Sequence, residues 1–397
     1  MTRHRYLIIG GGMAGDAAVR GIRAVDPEGA IKLISAELDP PYDRPPLSKG
    51  LWKGDDPEKI WRGTAELGVE MQLGRRVIRV ETHDRTVTDD KGTVHGWEKL
   101  LLATGGAPRI FPGAPPQLIH FRTWRDYLAL RQATAKARKV AVIGGGFIGS
   151  ELAAGLAMSG KEVVLLLPEE GIGAKVFPVA HARFLNGYYR ERGVDVRAQT
   201  TVTSVRRSGE KTALSITGPD GASETIRVDA AVAGIGIEPG ITLAQSAGVE
   251  TDGGIVVDGA LRTTNPAIWA AGDVASVWTP TLGRRVRAEH EDQANTTGEQ
   301  AGRSMAGESV ELDHLPMFYS DLFDLGYEAV GLMDPTHDVV EDWAEPGKKG
   351  VLYYLEGGRA RGIVTWGVFG KVKEARRLIR EGERRSSSDW RGAIAPG

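Results

Sequence analysis

The stretch Tyr6-Leu7-Ile8-Ile9-Gly10-Gly11-Gly12-Met13-Ala14-Gly15 sets the reading of this chain. Four apolar residues suit a short buried strand, and the residues that follow, Asp16-Ala17-Ala18-Val19-Arg20-Gly21-Ile22, suit a helix. Strand, G-x-G-x-x-G and helix thus stand in the order of a dinucleotide-binding turn. Gly10 makes the tight turn, Gly12 lets backbone approach a pyrophosphate, and Gly15 lets helix and strand pack closely, with the helix N-terminus facing the phosphates. The next strand, 31–35, ends near Glu37, where an acid would meet a ribose hydroxyl pair.

One such motif is weak evidence, because glycine-rich turns are common in α/β proteins. A second copy follows Val140-Ala141-Val142-Ile143 as Gly144-Gly145-Gly146-Phe147-Ile148-Gly149, and it too opens a helical stretch, 150–158. The strand after it, 163–167, ends at Pro168-Glu169-Glu170, which puts Glu169 twenty positions past Gly149. A carboxylate there accepts hydrogen bonds from both ribose hydroxyls of NADH and repels the 2′-phosphate of NADPH, so NADH is the expected cofactor. Either Glu169 or Glu170 could serve.

Composition narrows the function. The chain has 397 residues, 50 basic and 52 acidic side chains and a formal net charge of −2, so no global field favours nucleic acid or an anionic membrane. There is no cysteine, which excludes disulfides, thiolate metal sites and any dithiol relay, and no other metal cluster is visible. No apolar run approaches the roughly 18 to 20 residues that span a bilayer, so membrane insertion is not expected. No signal peptide is evident either, and a cytoplasmic location is expected.

Between the two glycine motifs, Pro41-Tyr42-Asp43-Arg44-Pro45-Pro46-Leu47-Ser48-Lys49 resembles the signature of the flavoprotein ferredoxin reductases and the related apoptosis-inducing factor. Further segments resemble that family in the same order: Leu101-Leu102-Ala103-Thr104-Gly105-Gly106, Gly234-Ile235-Gly236-Ile237-Glu238-Pro239, and Ile268-Trp269-Ala270-Ala271-Gly272-Asp273. In the C-terminal third, Met317-Phe318-Tyr319-Ser320-Asp321 and Gly326-Tyr327-Glu328-Ala329-Val330-Gly331-Leu332 lean toward apoptosis-inducing factor. The resemblance implies an α/β fold: two Rossmann-like nucleotide-binding domains, for FAD and NAD, and a C-terminal α+β domain. The expected boundaries are 1–118 and 245–311 for a discontinuous FAD domain, 119–244 for the NAD domain, 312–385 for the C-terminal domain and 386–397 for a flexible tail.

The same resemblance assigns the site. On the FAD side it implies Gly10, Gly12, Gly15, Glu37, Arg44, Thr104, Gly105 and Asp273, with Asp273 at the ribityl chain or pyrophosphate region. On the NADH side it implies Gly144, Gly146, Phe147, Ile148, Gly149, Glu151, Glu169, Lys175 and Gly236. Lys49 is similar to the family lysine that approaches the flavin, and Glu151 matches its glutamate partner, so a Lys49–Glu151 ion pair is expected. Glu289 and His290 match the segment beside flavin and nicotinamide, with His290 as a hydrogen-bond donor. Tyr319 departs from the tryptophan common in the family, offering a smaller stacking face and a hydroxyl that needs a partner. The long inserted C-terminal loop of the mammalian relative is absent.

The implied activity is hydride transfer from NADH to FAD, followed by electron transfer to a ferredoxin-type iron–sulfur protein. A quinone or oxygen as acceptor, and an NADH-gated interaction protein in which homodimerisation changes with reduction, are the alternatives. Residues 371–380, Lys-Val-Lys-Glu-Ala-Arg-Arg-Leu-Ile-Arg, read as a basic helix around a narrow apolar stripe, a candidate docking face. Glu356-Gly357-Gly358-Arg359 reads as a hairpin turn between strands.

Overall fold

The computed structural model describes residues 2–395. It divides into two compact units, one of Met1–Arg44, Glu58–Ala107 and Glu238–Pro316, the other of Pro45–Pro57, Pro108–Ile237 and Met317–Gly397.

The first unit is built on a sheet in which Glu70–Gln72, Ile31–Ile34, Arg3–Ile9, Val94–Leu102 and Ile268–Ala270 run parallel side by side. Thr86–Asp89 and Val77–Glu81 extend it antiparallel. Its central strands are continuous apolar runs because both faces are covered: Tyr6, Leu7, Ile8, Leu100, Leu101 and Leu102 are wholly buried. The helix Met13–Val25 follows the first glycine motif and packs against the helix Glu291–Ala306. That crossing is unusually close. A Cβ on Gly302 would stand 2.1 Å from the Ala18 carbonyl oxygen, and one on Gly21 2.1 Å from that of Glu299. Small residues on both helices let the backbones meet, and this ties the segment after Asp273 to the first nucleotide motif.

The second unit repeats the parallel pattern with Val194–Arg197, Glu162–Leu166, Lys139–Ile143, Ala230–Ala233 and Ile119–His120, and adds an antiparallel three-stranded sheet of Thr201–Ser208, Lys211–Thr217 and Ser223–Val228. The C-terminal third contributes a five-stranded antiparallel sheet ordered Met317–Leu322, Leu325–Gly331, Arg359–Trp366, Lys349–Glu356, Asp338–Glu345. The hairpin at Glu356–Arg359 closes as expected, with Gly357 and Gly358 at φ of 58° and 77°. An aromatic seam joins this sheet to the helix Val179–Glu191: His181 lies 4.3 Å from the Trp366 ring and 5.3 Å from that of Trp343, and Phe177 meets Tyr327 at 5.2 Å. That seam explains why the C-terminal strands group with the second nucleotide fold rather than standing alone.

Pro45–Pro57 also belongs to the second unit. Trp52 packs against Gly155, where a Cβ would stand 2.9 Å from the tryptophan Cβ, and meets the Tyr127 ring at 5.6 Å. The segment from Ser386, expected to be a flexible tail, is instead packed. Ser386 caps the helix Ser387–Trp390 through the Asp389 N–H, Trp390 is buried and packs 5.3 Å from Tyr353, and Ile394 is wholly buried. Polar, serine-rich composition gives no sign of the two apolar anchors that hold it. Residues 396–397 of the expected tail lie outside the described residues.

Candidate active site

The two glycine motifs divide their labour identically. In the first, a Cβ on Gly10 would stand 2.1 Å from the Ala103 carbonyl oxygen and one on Gly15 2.1 Å from that of Gly10, while one on Gly12 would meet only the Arg44 guanidinium, at 3.7 Å. In the second, Gly144 and Gly149 are closed in the same way, at 2.4 Å from the Gly234 and 1.9 Å from the Gly144 carbonyl oxygens, and a Cβ on Gly146 would meet nothing within 4 Å. Outer glycines are needed by the protein; the middle one faces open space. Gly12 and Gly146 are also the N-caps of their helices, and neither helix has a side chain capping it. Backbone N–H groups at the positive end of a helix that no side chain caps, beside a glycine with no side chain in the way, fit a pyrophosphate. Both motifs therefore suit a dinucleotide.

Around the first motif, Glu37 accepts hydrogen bonds from the Tyr42 hydroxyl at 2.6 Å and from Arg44. This fixes the carboxylate beyond the strand Ile31–Ile34, and Arg44 beside Gly12. Asp273 is buried in the short turn Gly272–Val274, whose Gly272 takes a φ of 78° and donates its N–H to Thr297 Oγ1 at 2.8 Å. Arg287 donates to the Asp273 carbonyl at 3.1 Å and pairs with Glu289 at 2.6 Å. His290 is the N-cap of the helix Glu291–Ala306, one residue before its first turn. The Thr104 hydroxyl donates to the Gly240 carbonyl at 2.8 Å, so Thr104 holds the turn through its side chain, while Gly105 takes the left-handed φ of 57° that the turn requires.

A cluster that the sequence reading missed lies in the same unit. Asp16, wholly buried in the first turn of its helix, accepts from Arg20 at 2.9 Å, Arg62 at 2.7 Å and the Thr64 hydroxyl at 2.6 Å. Arg62 reaches on to Asp43 at 2.6 Å and Asn295 at 2.9 Å. An acid directly after a glycine motif was the available signal, but its arginine is 46 residues away.

In the second unit, Glu151 is 3% exposed and ringed by donors. Lys49 Nζ lies 2.7 Å away, the Ser48 hydroxyl donates to Oε2 at 2.6 Å, and the Ser320 hydroxyl donates to Oε1 at 2.6 Å. Lys49 Nζ also lies 5.1 Å from the centre of the Tyr319 ring, which is 37% exposed. The strand Met317–Leu322 produces this arrangement by alternation: Ser320 turns inward to Glu151 and Tyr319 turns outward. Phe147 and Phe318 meet edge to face at 5.0 Å. Ser48 and Ser320 were not among the candidates, although both sit inside the family-like motifs.

Burial raises the hydroxyls of Tyr189 and Tyr327 well above the usual phenol range, and the Glu151 charge adds to the rise. Both stay neutral beside the carboxylate. At the end of the strand Glu162–Leu166, Glu169 pairs with the exposed Lys175 at 3.1 Å, whereas Glu170 turns to Arg183. Gly236 takes a φ of 99° and accepts the Arg109 N–H at 2.9 Å. Among the described residues no group of acids and histidines could hold a metal ion, and no helix is long and apolar enough to cross a membrane.

Comparison with known proteins agrees with this geometry. The model of the pyridine nucleotide-disulphide oxidoreductase family matches residues 4–301. The chain is 32% identical to the ferredoxin–NAD(+) reductase component of the anthranilate 1,2-dioxygenase system of Burkholderia cepacia, covering 96% of this chain and 95% of that protein. It is also 32% identical to the mitochondrial apoptosis-inducing factor 1 of Dictyostelium discoideum, over 96% of this chain and 79% of the relative. Among solved structures, the covalent putidaredoxin reductase–putidaredoxin complex superposes with a TM-score of 0.89 at 28% identity, covering 98% of this chain and 95% of the other. The chain belongs to the pyridine nucleotide-disulphide oxidoreductase family, as an FAD- and NADH-dependent oxidoreductase.

Proposed function

We propose that this protein is the reductase component of an electron-transfer chain, taking hydride from NADH and passing electrons to a ferredoxin-type iron–sulfur protein. The observation that carries the reading is the buried Lys49–Glu151 pair beside the second nucleotide motif, in a chain with no cysteine. Without thiols, electrons have no disulfide relay and must leave from the flavin itself. The relatives named as ferredoxin reductases, matched over nearly their whole length, support the choice of acceptor.

FAD, when bound, supplies a two-electron acceptor able to release electrons one at a time. The remaining steps belong to the protein. Gly12 and the N-terminus of Met13–Val25 would hold the FAD pyrophosphate, Glu37 its ribose, and Asp273 the ribityl or pyrophosphate region, with Arg44 beside them. Gly146 and its helix N-terminus would hold the NADH pyrophosphate, and Glu169, paired with Lys175, would take the ribose hydroxyls. Lys49 would supply a fixed positive charge to offset the negative charge of a reduced flavin, Glu151 holds that lysine in one direction, and Tyr319 would cover the nicotinamide. His290 donates a hydrogen bond and moves no proton, because hydride transfer needs none. We place the protein in the cytoplasm, where NADH is made and consumed; cell fractionation tests that.

Stopped-flow mixing of the NADH-reduced protein with ferredoxins, a quinone and air in separate runs tests the acceptor. Fast reoxidation by a ferredoxin is expected. Reoxidation only by quinone or oxygen would replace that acceptor, and slow reoxidation by all, with an NADH-dependent change in sedimentation, would favour a redox-gated interaction protein. In the same experiment Glu169→Ala should narrow the preference for NADH over NADPH by about tenfold or more, through loss of like-charge repulsion. An unchanged ratio would remove Glu169 from the ribose site.

A further inference from the structure

The Glu151 carboxylate, on the helix Phe147–Met158, collects donors from two stretches of chain far apart in sequence: Lys49 and Ser48 from the segment after the double proline, and Ser320 from the strand Met317–Leu322. An ionised carboxylate offers about four acceptor sites, and an ammonium alone fills them poorly. Here two hydroxyls add to the ammonium, each at the short distance of a charge-assisted hydrogen bond. A buried ion pair is worth keeping only when its leftover lone pairs are satisfied in this way.

We infer that Ser48 and Ser320 are positioning residues for the proposed role of Lys49: their hydroxyls lock Glu151 and so hold the Lys49 ammonium in one direction. The inference rests on the proposed role of Lys49 and goes beyond it by assigning the two serines. The two hydroxyls are not equivalent. Ser48 is the sequence neighbour of Lys49, so its bond fixes the loop that carries the lysine. Ser320 is the neighbour of Tyr319, and its bond sets the strand that holds the tyrosine ring against the same ammonium. Ser320 shares Glu151 Oε1 with Lys49, so losing it frees that oxygen to rotate.

Other charged and titratable groups face this cluster, and one of them, Tyr327, is hydrogen-bonded to the Ser320 side chain. Tyr189 and Tyr327 stay neutral because burial raises them, and Tyr327 is the cross-strand partner of Ser320. Asp321 turns to Lys53 at 3.8 Å. Glu151 and Lys49 are therefore the charges that the serines act on.

The test measures the midpoint potential of the bound FAD, the rate of its reduction by NADH and the unfolding temperature in Ser48→Ala, Ser320→Ala, the double variant and Lys49→Met. Each single serine variant should slow reduction by about tenfold, the size of one hydrogen bond to a charged group, and shift the potential in the same negative direction as Lys49→Met, by a smaller amount. Alanine is smaller than serine and fits either site, so the holoenzyme should form. A purely structural serine would lower the unfolding temperature and leave the potential alone; that result in both serine variants, with Lys49→Met still shifting the potential, would overturn the inference. No shift in Lys49→Met would instead overturn the role of Lys49 itself.

Discussion

Each nucleotide helix carries a buried acid just past its glycine motif, Asp16 in the first unit and Glu151 in the second, and the two are satisfied differently. Asp16 is held by the forks of Arg20 and Arg62, and Arg62 is itself pinned by Asp43 and Asn295. A planar guanidinium bonded on several sides has no freedom and no remaining field to offer. Glu151 is held by one lysine and two hydroxyls, and the lysine faces a partly exposed aromatic ring. An ammonium is a compact point charge that can act on a neighbour. Neighbouring positions in a repeated fold, Asp16 one residue past Gly15 and Glu151 two past Gly149, are thus a structural cross-link in one unit and, in the role proposed for Lys49, an electrostatic device in the other, and what differs is the chemistry of the cation.

The comparison can be broken at the glycines first, where the largest effects are expected. Gly149→Ala drives a Cβ into the Gly144 carbonyl and should cost roughly 4 kcal/mol or prevent folding. Gly146→Ala meets nothing in the protein, so it should leave stability within about 0.5 kcal/mol while weakening NADH binding about tenfold. Urea unfolding and NADH titration measure the two; equal stability losses would show that the middle glycine is not reserved for a ligand.

The acids come next. Asp16→Asn should cost about 3 kcal/mol of stability, because it leaves the largely buried Arg62 short of its counter-charge, and should leave the reduction rate of the holoenzyme nearly unchanged. Glu151→Gln should cost about 2 kcal/mol, since Lys49 is not fully buried, and slow reduction about a hundredfold. Equal kinetic effects at the two positions would erase the distinction.

A pH effect sharpens the contrast further. Burial among Phe177, Phe184, Trp343 and Trp366 takes the His181 imidazole down to about 4 from 6.5, and its Nε2 has no hydrogen-bond partner. The folded protein then refuses a proton that the unfolded chain accepts. Stability contributed by neutral His181 is present above pH 6.5 and falls as the pH drops toward about 4, by about 3 kcal/mol in all. His181→Phe should flatten that limb. Burial also lowers His4 and His120, so the difference between variant and wild type, and not the whole profile, isolates this residue. An unchanged slope would mean that the seam admits water or a proton.

Much of this was legible beforehand because it is local. The glycine motifs, the strand before each, the hairpin at Glu356–Arg359 and the basic helix Val372–Glu381 depend on residues close in sequence, and spacing alone implies them. Lys49 and Glu151 could be paired only through the resemblance to a family, since 102 residues separate them. Ser48 and Ser320 stood in the quoted motifs without a role, because a serine becomes a donor to a particular acid only when the chain brings them together. The end of the chain failed for the complementary reason: its composition is that of a tail, and only Tyr353 and its surroundings make Trp390 and Ile394 a core.

By itself, the sequence determined that two dinucleotides are bound and that thiol chemistry is excluded, because glycine spacing and the absence of cysteine are read directly along the chain. The tertiary structure alone decided that Pro45–Pro57 and the C-terminal strands group with the second nucleotide fold, and that one acid is locked by arginines and the other by a lysine and two serines. Those are matters of packing and of which distant donors reach a buried charge, and no local rule along the chain contains them.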